Sequence, residues 1–206
     1  MRELYEIKRE DLPRCAETMA RAFIDDPVYK YMVGRPGVSY KDSYRYSLVT
    51  LRSVYGIAKL YATSDKFEGL MATFPPFNNR VPSMAFVRSG GWRLPFTTRG
   101  DILSRSLKYE NNNVKIRKKL AGEEAWYLFM LAVEPAQQKK GYCSALMRPF
   151  LKWLDKNGKI YYLETHKAAN VDIYKHWGFE LKNLDAIPGT EDTQYTMIRN
   201  FLSNNG

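Results

Sequence analysis

The segment of this chain best suited to chemistry is Val133-Glu134-Pro135-Ala136-Gln137-Gln138-Lys139-Lys140-Gly141-Tyr142-Cys143-Ser144. An apolar run stops at a proline, a polar loop follows, and an amphipathic stretch begins. If that stretch is a helix, its first amides have no intrahelical acceptor. They also sit at the positive end of the helix dipole. A phosphate placed there is held by several N–H groups at once. Gly141 permits a backbone angle closed to most residues and lets a ligand come close to the chain. Lys139 and Lys140 add positive charge. The same residues would also serve as an ordinary connection with two solvated lysines, and the local pattern alone does not choose. Cys143 is either a thiol activated by the helix N-terminus or a small residue filling a tight turn. His166 and His176 are the only histidines, and neither has a catalytic partner readable in the sequence.

Around that segment the elements can be read from periodicity. Ala125 to Val133 is a continuous apolar run, as in a central strand buried on both faces. A helix is predicted from about Cys143 to Asp155, with Leu146, Phe150, Trp153 and Leu154 on its buried side and Pro149 removing one backbone donor. Lys159 to Glu164 reads as the next strand. Asn170 to Trp177 reads as a short helix with Gly178 as its terminal cap. Phe179 to Leu181 and Gln194 to Ile198 read as an antiparallel pair. In the first half, Glu3 to Lys8 is a short strand. A helix follows, with Asp11 as N-cap, Pro13 in its first turn and Asp25-Asp26-Pro27 as its stop. Ser39 to Ala58 is a second helix. Lys59 to Ala62 and Glu68 to Phe74 are strands around a polar turn. Asn78 to Pro95 reads as irregular. Asp101 to Leu120 reads as a helix whose cluster from Lys115 to Lys119 is a solvated basic face.

The loop resembles the acetyl-CoA signature of the GNAT superfamily of N-acetyltransferases. That signature is Gln or Arg, two residues, Gly, one residue, then Gly or Ala, after a strand ending in Val-x-Pro. The chain supplies Val133, Pro135, Gln138 and Gly141, with Cys143 departing from the last position. A second block, Leu163-Glu164-Thr165-His166, then Asn170 and Ile173-Tyr174-Lys175-His176-Trp177-Gly178-Phe179, resembles the family's following strand and short helix. The resemblance is strongest from Ala125 to Leu181. It implies that acetyl-CoA binds at Gln138, Lys139, Lys140, Gly141, Tyr142, Cys143 and Ser144, with Asn170 touching it. It implies that backbone N–H groups of Leu131, Ala132 and Val133 polarise the thioester carbonyl. Tyr174 would then protonate the departing thiolate, although on its own it could be a surface tyrosine covering the sheet. Asn170 could also cap its helix. Glu164 either deprotonates the acceptor amine, directly or through water, or makes a structural hydrogen bond.

The expected fold is thus α/β (α+β), a mixed, mostly antiparallel central sheet flanked by helices, in a single domain over residues 1–206 with the acetyl-CoA part at about 125–181. The expected activity is transfer of acetyl from acetyl-CoA to a primary amine, with no metal. The alternative is a non-catalytic module that binds coenzyme A or nucleic acid. Lys and Arg number 32 against 22 Asp and Glu, a formal charge of +10, which suits a phosphorylated ligand or nucleic acid equally. No aromatic–basic RNA motif favours nucleic acid. Two distant cysteines form no disulfide framework. The charged start and the shortness of the longest apolar run point to a cytoplasmic protein off the membrane. A homodimer stays open, and so does the acceptor. Asp25, Asp26, Tyr31, Trp92 and the Gly90-Gly91 stretch are candidates for its pocket.

Overall fold

The structure, a computed structural model, describes residues 4–33, 38–96, 101–188 and 190–201. Seven strands form one sheet: β1 Tyr5–Glu6, β2 Lys59–Ala62, β3 Gly69–Phe74, β4 Trp126–Val133, β5 Tyr161–Thr165, β6 Glu180–Ala186 and β7 Thr193–Arg199. Their order is β1-β2-β3-β4-β5-β7-β6. The β4–β5 pair is parallel and the other pairs are antiparallel, as expected. The helices are α1 Leu12–Phe23, α2 Pro27–Val33, α3 Tyr40–Val54, α4 Ser83–Arg88, α5 Ile102–Ala121, α6 Tyr142–Lys156 and α7 Ala168–His176.

Alternation along the strands divides the core between two faces. Leu70, Ala72 and Phe74 of β3 and Tyr162 of β5 pack with α1 and α3. Met71, Tyr161, Leu163 and Met197 pack with α6 and α7. In β4 the alternation breaks. Tyr127, Met130 and Ala132 share one face, while Leu128 lies on the other. The cause is a bulge at Phe129: Thr73 pairs with Leu128 and Ala72 with Met130, leaving one residue over. Helix α6 lies close on β3, where a Cβ at Gly69 would meet Leu146 Cδ1 and Thr63 Cγ2 at 3.1 Å each. Gly69 therefore helps to set where the N-terminus of α6 sits.

Several expectations are corrected. Asp26-Pro27 is a start as well as a stop: Asp26 Oδ1 accepts the Val28 N–H at 2.9 Å and α2 begins at Pro27. The stretch 78–95 is not irregular throughout, because it contains α4 and much of a 3₁₀ segment, Gly91–Phe96. These pieces are too short to show periodicity. Asp11 precedes α1 but does not cap it; its Oδ2 accepts from the Lys8 N–H and the Tyr5 hydroxyl at 2.9 Å. Glu3, the expected start of the first strand, lies outside the described residues. Gly178 follows α7 with φ of +82°, in keeping with a terminal cap.

The basic cluster of α5 is only partly a solvated face. Lys115, Lys118 and Lys119 are exposed, but Arg117 is 1% exposed. Its guanidinium lies 3.8 Å from the Tyr127 ring centroid and 5.6 Å from that of Tyr162. Its Nη1 is 3.5 Å from Glu164 Oε1 and its Nη2 is 3.6 Å from Glu110 Oε1. One buried cation therefore serves two carboxylates. Arg117→Met keeps most of the volume and removes the charge. Stranding two carboxylates should cost about 3–5 kcal/mol, read as a lowered urea midpoint. A loss under about 1 kcal/mol would mean that the ion pairs do not support the fold.

Candidate active site

The site begins where β4 and β5 part. The two strands pair only at Trp126–Tyr161, Tyr127–Tyr162 and Leu128–Leu163. Beyond Leu128, β4 stays paired to β3 alone. The Glu134 N–H bonds to the Glu68 carbonyl at 2.8 Å, which fixes the antiparallel register. Amides alternate in direction along such a strand. Those of Leu131 and Val133 therefore point into the wedge, and that of Ala132 points to β3. This corrects the expected set of polarising donors: Leu131 and Val133 remain, and Ala132 leaves it because its amide belongs to the ladder.

The wedge runs into the loop. Gly141 has φ of +86° and Lys139 φ of +62°, so the residues on either side of Lys140 are turned through the left-handed region. The first α6 bond is from the Ala145 N–H to the Gly141 carbonyl at 2.9 Å. The amides of Tyr142, Cys143 and Ser144 thus have no acceptor within the helix. A Cβ at Gly141 would meet nothing of the chain within 4 Å. The glycine is required by its backbone angle, and the space beside it is free for a ligand. Gln138 Nε2 donates to the Val133 carbonyl at 3.4 Å, fastening the loop to the strand end. Lys140 Nζ is turned back onto the Ala136 carbonyl and Gln137 Oε1, at 3.1 and 3.0 Å. A free helix N-terminus with two lysines beside it fits a pyrophosphate.

Tyr174 is 9% exposed, its ring held edge-on by Trp177 and Phe179. Burial first, and then the neighbouring Cys143, raise its hydroxyl above the ordinary 10.0, so it carries its proton throughout the neutral range. Burial pushes the Cys143 thiol up to about 11. The activated thiol weighed from the sequence is therefore not formed. Asn170 does not cap α7, whose N-cap is Lys167; its Nδ2 donates to Thr165 Oγ1 at 3.0 Å.

Asn170 and Tyr174 stand at one end of a cavity of about 280 Å³. The cavity passes Leu131 and Phe129 and ends among α1 to α5. Glu164, with a side chain 3% exposed, lines it and is held from beneath by Arg117. Of the candidates for an acceptor pocket, Asp26 lines it; Asp25, Tyr31, Trp92 and Gly90-Gly91 do not. Sequence reading missed Glu110 and a linked set around His166. His166 Nε2 is 2.8 Å from the Tyr109 hydroxyl and 3.3 Å from Gln194 Oε1, and its Nδ1 is 3.8 Å from Asp26 Oδ1. These three partners come from three separate parts of the chain, so no spacing could announce them.

Among the described residues, no group of three His, Cys, Asp or Glu is placed to hold a metal ion. No helix there is long and apolar enough to cross a membrane.

Comparison with known proteins agrees with this geometry. Residues 106–179 match the acetyltransferase (GNAT) family. An uncharacterized N-acetyltransferase of Schizosaccharomyces pombe is 28% identical over 178 residues, 84% of this chain and 72% of its own length. Among solved structures, a Corynebacterium glutamicum protein described as a histone acetyltransferase and related acetyltransferase aligns with a TM-score of 0.64 at 15% identity, over 98% of each chain. An N-acetyltransferase from Staphylococcus aureus aligns with a TM-score of 0.63 at 13% identity, over 95% of this chain and 99% of its own. At such identities the structural likeness speaks for the fold alone. The stretch that matches the acetyltransferase (GNAT) family takes in the Gln138–Cys143 loop, whose residues resemble that family's acetyl-CoA signature.

Proposed function

We propose that acetyl-CoA lies along the wedge with its pyrophosphate on the amides of Lys139 to Ser144. The observation that carries this is the free N-terminus of α6, opened by Gly141, at the point where β4 leaves β5. The thioester carbonyl then meets the Leu131 and Val133 amides. Such preorganised donors stabilise the charge that develops on a carbonyl oxygen under attack. An amine entering from the cavity attacks the acetyl carbon directly. Glu164, at the cavity wall, takes the ammonium proton directly or through water. Tyr174 gives its proton to the departing thiolate, and Asn170 contacts the donor beside it. Both cysteines are free thiols, which supports a reducing, cytoplasmic setting.

Gly141→Val tests the binding half. A β-branched residue at φ of +86° is strained and fills the space left for the ligand. Calorimetric affinity for acetyl-CoA should fall by roughly tenfold or more, each tenfold being about 1.4 kcal/mol. Undiminished affinity in a folded variant would remove the loop from the site.

Tyr174→Phe tests the acid. The variant should bind acetyl-CoA normally and lose roughly 10²-fold in kcat, the usual scale for a missing general acid. Equal turnover, with chemistry shown to be rate-limiting, would leave Tyr174 as a packing residue.

Glu164→Gln tests the base. Alkyl ammonium groups titrate near ~10.4, so most acceptor arrives protonated at neutral pH. The variant should lose kcat/KM most at low pH and recover as the amine deprotonates in solution. Profiles that run parallel at every pH would make Glu164 structural, with its ion pair to Arg117 as its role.

A further inference from the structure

We propose that the acceptor is a small amine with one cationic head and an apolar body, ring-like or alkyl, taken whole into the cavity. This deepens the transfer reading above and rests on it. The inner end of the cavity is walled by Met19, Phe23, Tyr46, Phe86, Leu103 and Phe129. At about 280 Å³ it is of the order of the smaller ligand sites, which start near ~300 Å³. Its polar groups converge on one region. Asp26, Glu110 and Glu164 all line it, and no lysine or arginine is among its lining residues.

That acidity stands against the charge of the chain as a whole, +10. Arg117 reaches two of the carboxylates from beneath and leaves the cavity side of the set net negative. Glu110 Oε1 is buried and has no hydrogen-bond partner among the described residues, although Arg117 Nη2 stands 3.6 Å away. Burial pushes the Glu110 carboxyl above its usual range, and an ammonium beside it would restore the ionised form. A buried acceptor oxygen without a donor is costly to leave so, and a ligand ammonium offers up to three donors.

The apolar wall sets the other half of the specificity. A second cation at the far end of the ligand would have to lose its water beside Met19, Phe23, Phe86, Leu103 and Phe129, which offer it no charged partner. A polyamine or a polar sugar amine is therefore excluded by the same surface that accepts an alkyl or aryl body. A lysyl side chain brings its peptide backbone to the same apolar wall, with polar groups left to satisfy.

The test measures coenzyme A thiol release by the whole chain with acetyl-CoA and a panel of amines. The panel is phenethylamine, hexylamine, propylamine, spermidine, glucosamine and a lysine-containing peptide. Phenethylamine and hexylamine should exceed spermidine, glucosamine and the peptide by roughly 10²-fold in kcat/KM. Hexylamine should exceed propylamine by about tenfold or more, since a methylene in an apolar pocket is worth at least ~10-fold. Phe86→Ala should raise KM for phenethylamine about tenfold without changing KM for acetyl-CoA, and Phe86→Leu should recover part of it. Preference for spermidine, glucosamine or the peptide would overturn this inference and leave acetyl transfer standing. Acetyl-CoA binding with no turnover of any amine would overturn the transfer reading, and this inference with it.

Discussion

The site depends on one failure of pairing. Strands β4 and β5 run in parallel for three register pairs and then separate. Backbone groups inside a sheet are normally consumed by neighbouring strands. Beyond Leu128, β4 keeps its bonds to β3 and loses those to β5, so every second amide becomes available to something else. The bulge at Phe129 lies where the separation begins. It bends the strand and turns Phe129 toward the cavity side of the core. In the proposed reaction the donor thioester and the acceptor cavity meet in this opening. On an unbroken sheet the Leu131 and Val133 amides would be spent.

The charges divide between two regions of opposite sign. Outside, Lys139 and Lys140 flank a helix N-terminus, a setting that suits an anion. Inside, carboxylates face a cavity without lysine or arginine in its wall. Arg117 keeps these two fields compatible with a folded core. Burying Glu110 and Glu164 without a cation would be far more costly than burying the set together. Placing that cation under the floor, against Tyr127 and Tyr162, leaves the cavity side free for the ligand. The ion pairs thus stabilise the fold and orient Glu164 at the same time.

How much of this was legible follows from how local each signal is. Strand β4, helix α6, and the Gln138–Ser144 loop are contiguous, and their patterns were readable as a connected unit. Asn170 and Tyr174 were singled out only by the resemblance of their block to the family's short helix. The cavity was not legible, because its walls come from α1 to α5 and from β4 and β5. Arg117 was misread for the same reason: among Lys115, Lys118 and Lys119 nothing local marks it as the one residue turned inward. Helix α2 was lost behind Asp25-Asp26-Pro27, since a proline that ends one helix can begin another. Ala132 was misassigned because direction along a strand depends on register with β3, which only pairing reveals.

The same geometry decides between direct transfer and a covalent enzyme intermediate. An acyl-cysteine route would need a thiolate beside the donor, and Cys143 at the start of α6 is in the right region. Its half-buried thiol, however, is pushed up to about 11 by desolvation, so the thiolate that attacks is scarce at neutral pH. Cys15 is deeper still, at 0% exposure, and its thiol is pushed up to about 12. Tyr174, next to Cys143, also holds its proton. A protonated hydroxyl is poorly suited to be a nucleophile and well suited to be an acid for a leaving thiolate. In the proposed reaction the amine, once deprotonated at the carboxylate wall, is the strongest nucleophile in reach of the acetyl carbon, and it needs no relay through the protein.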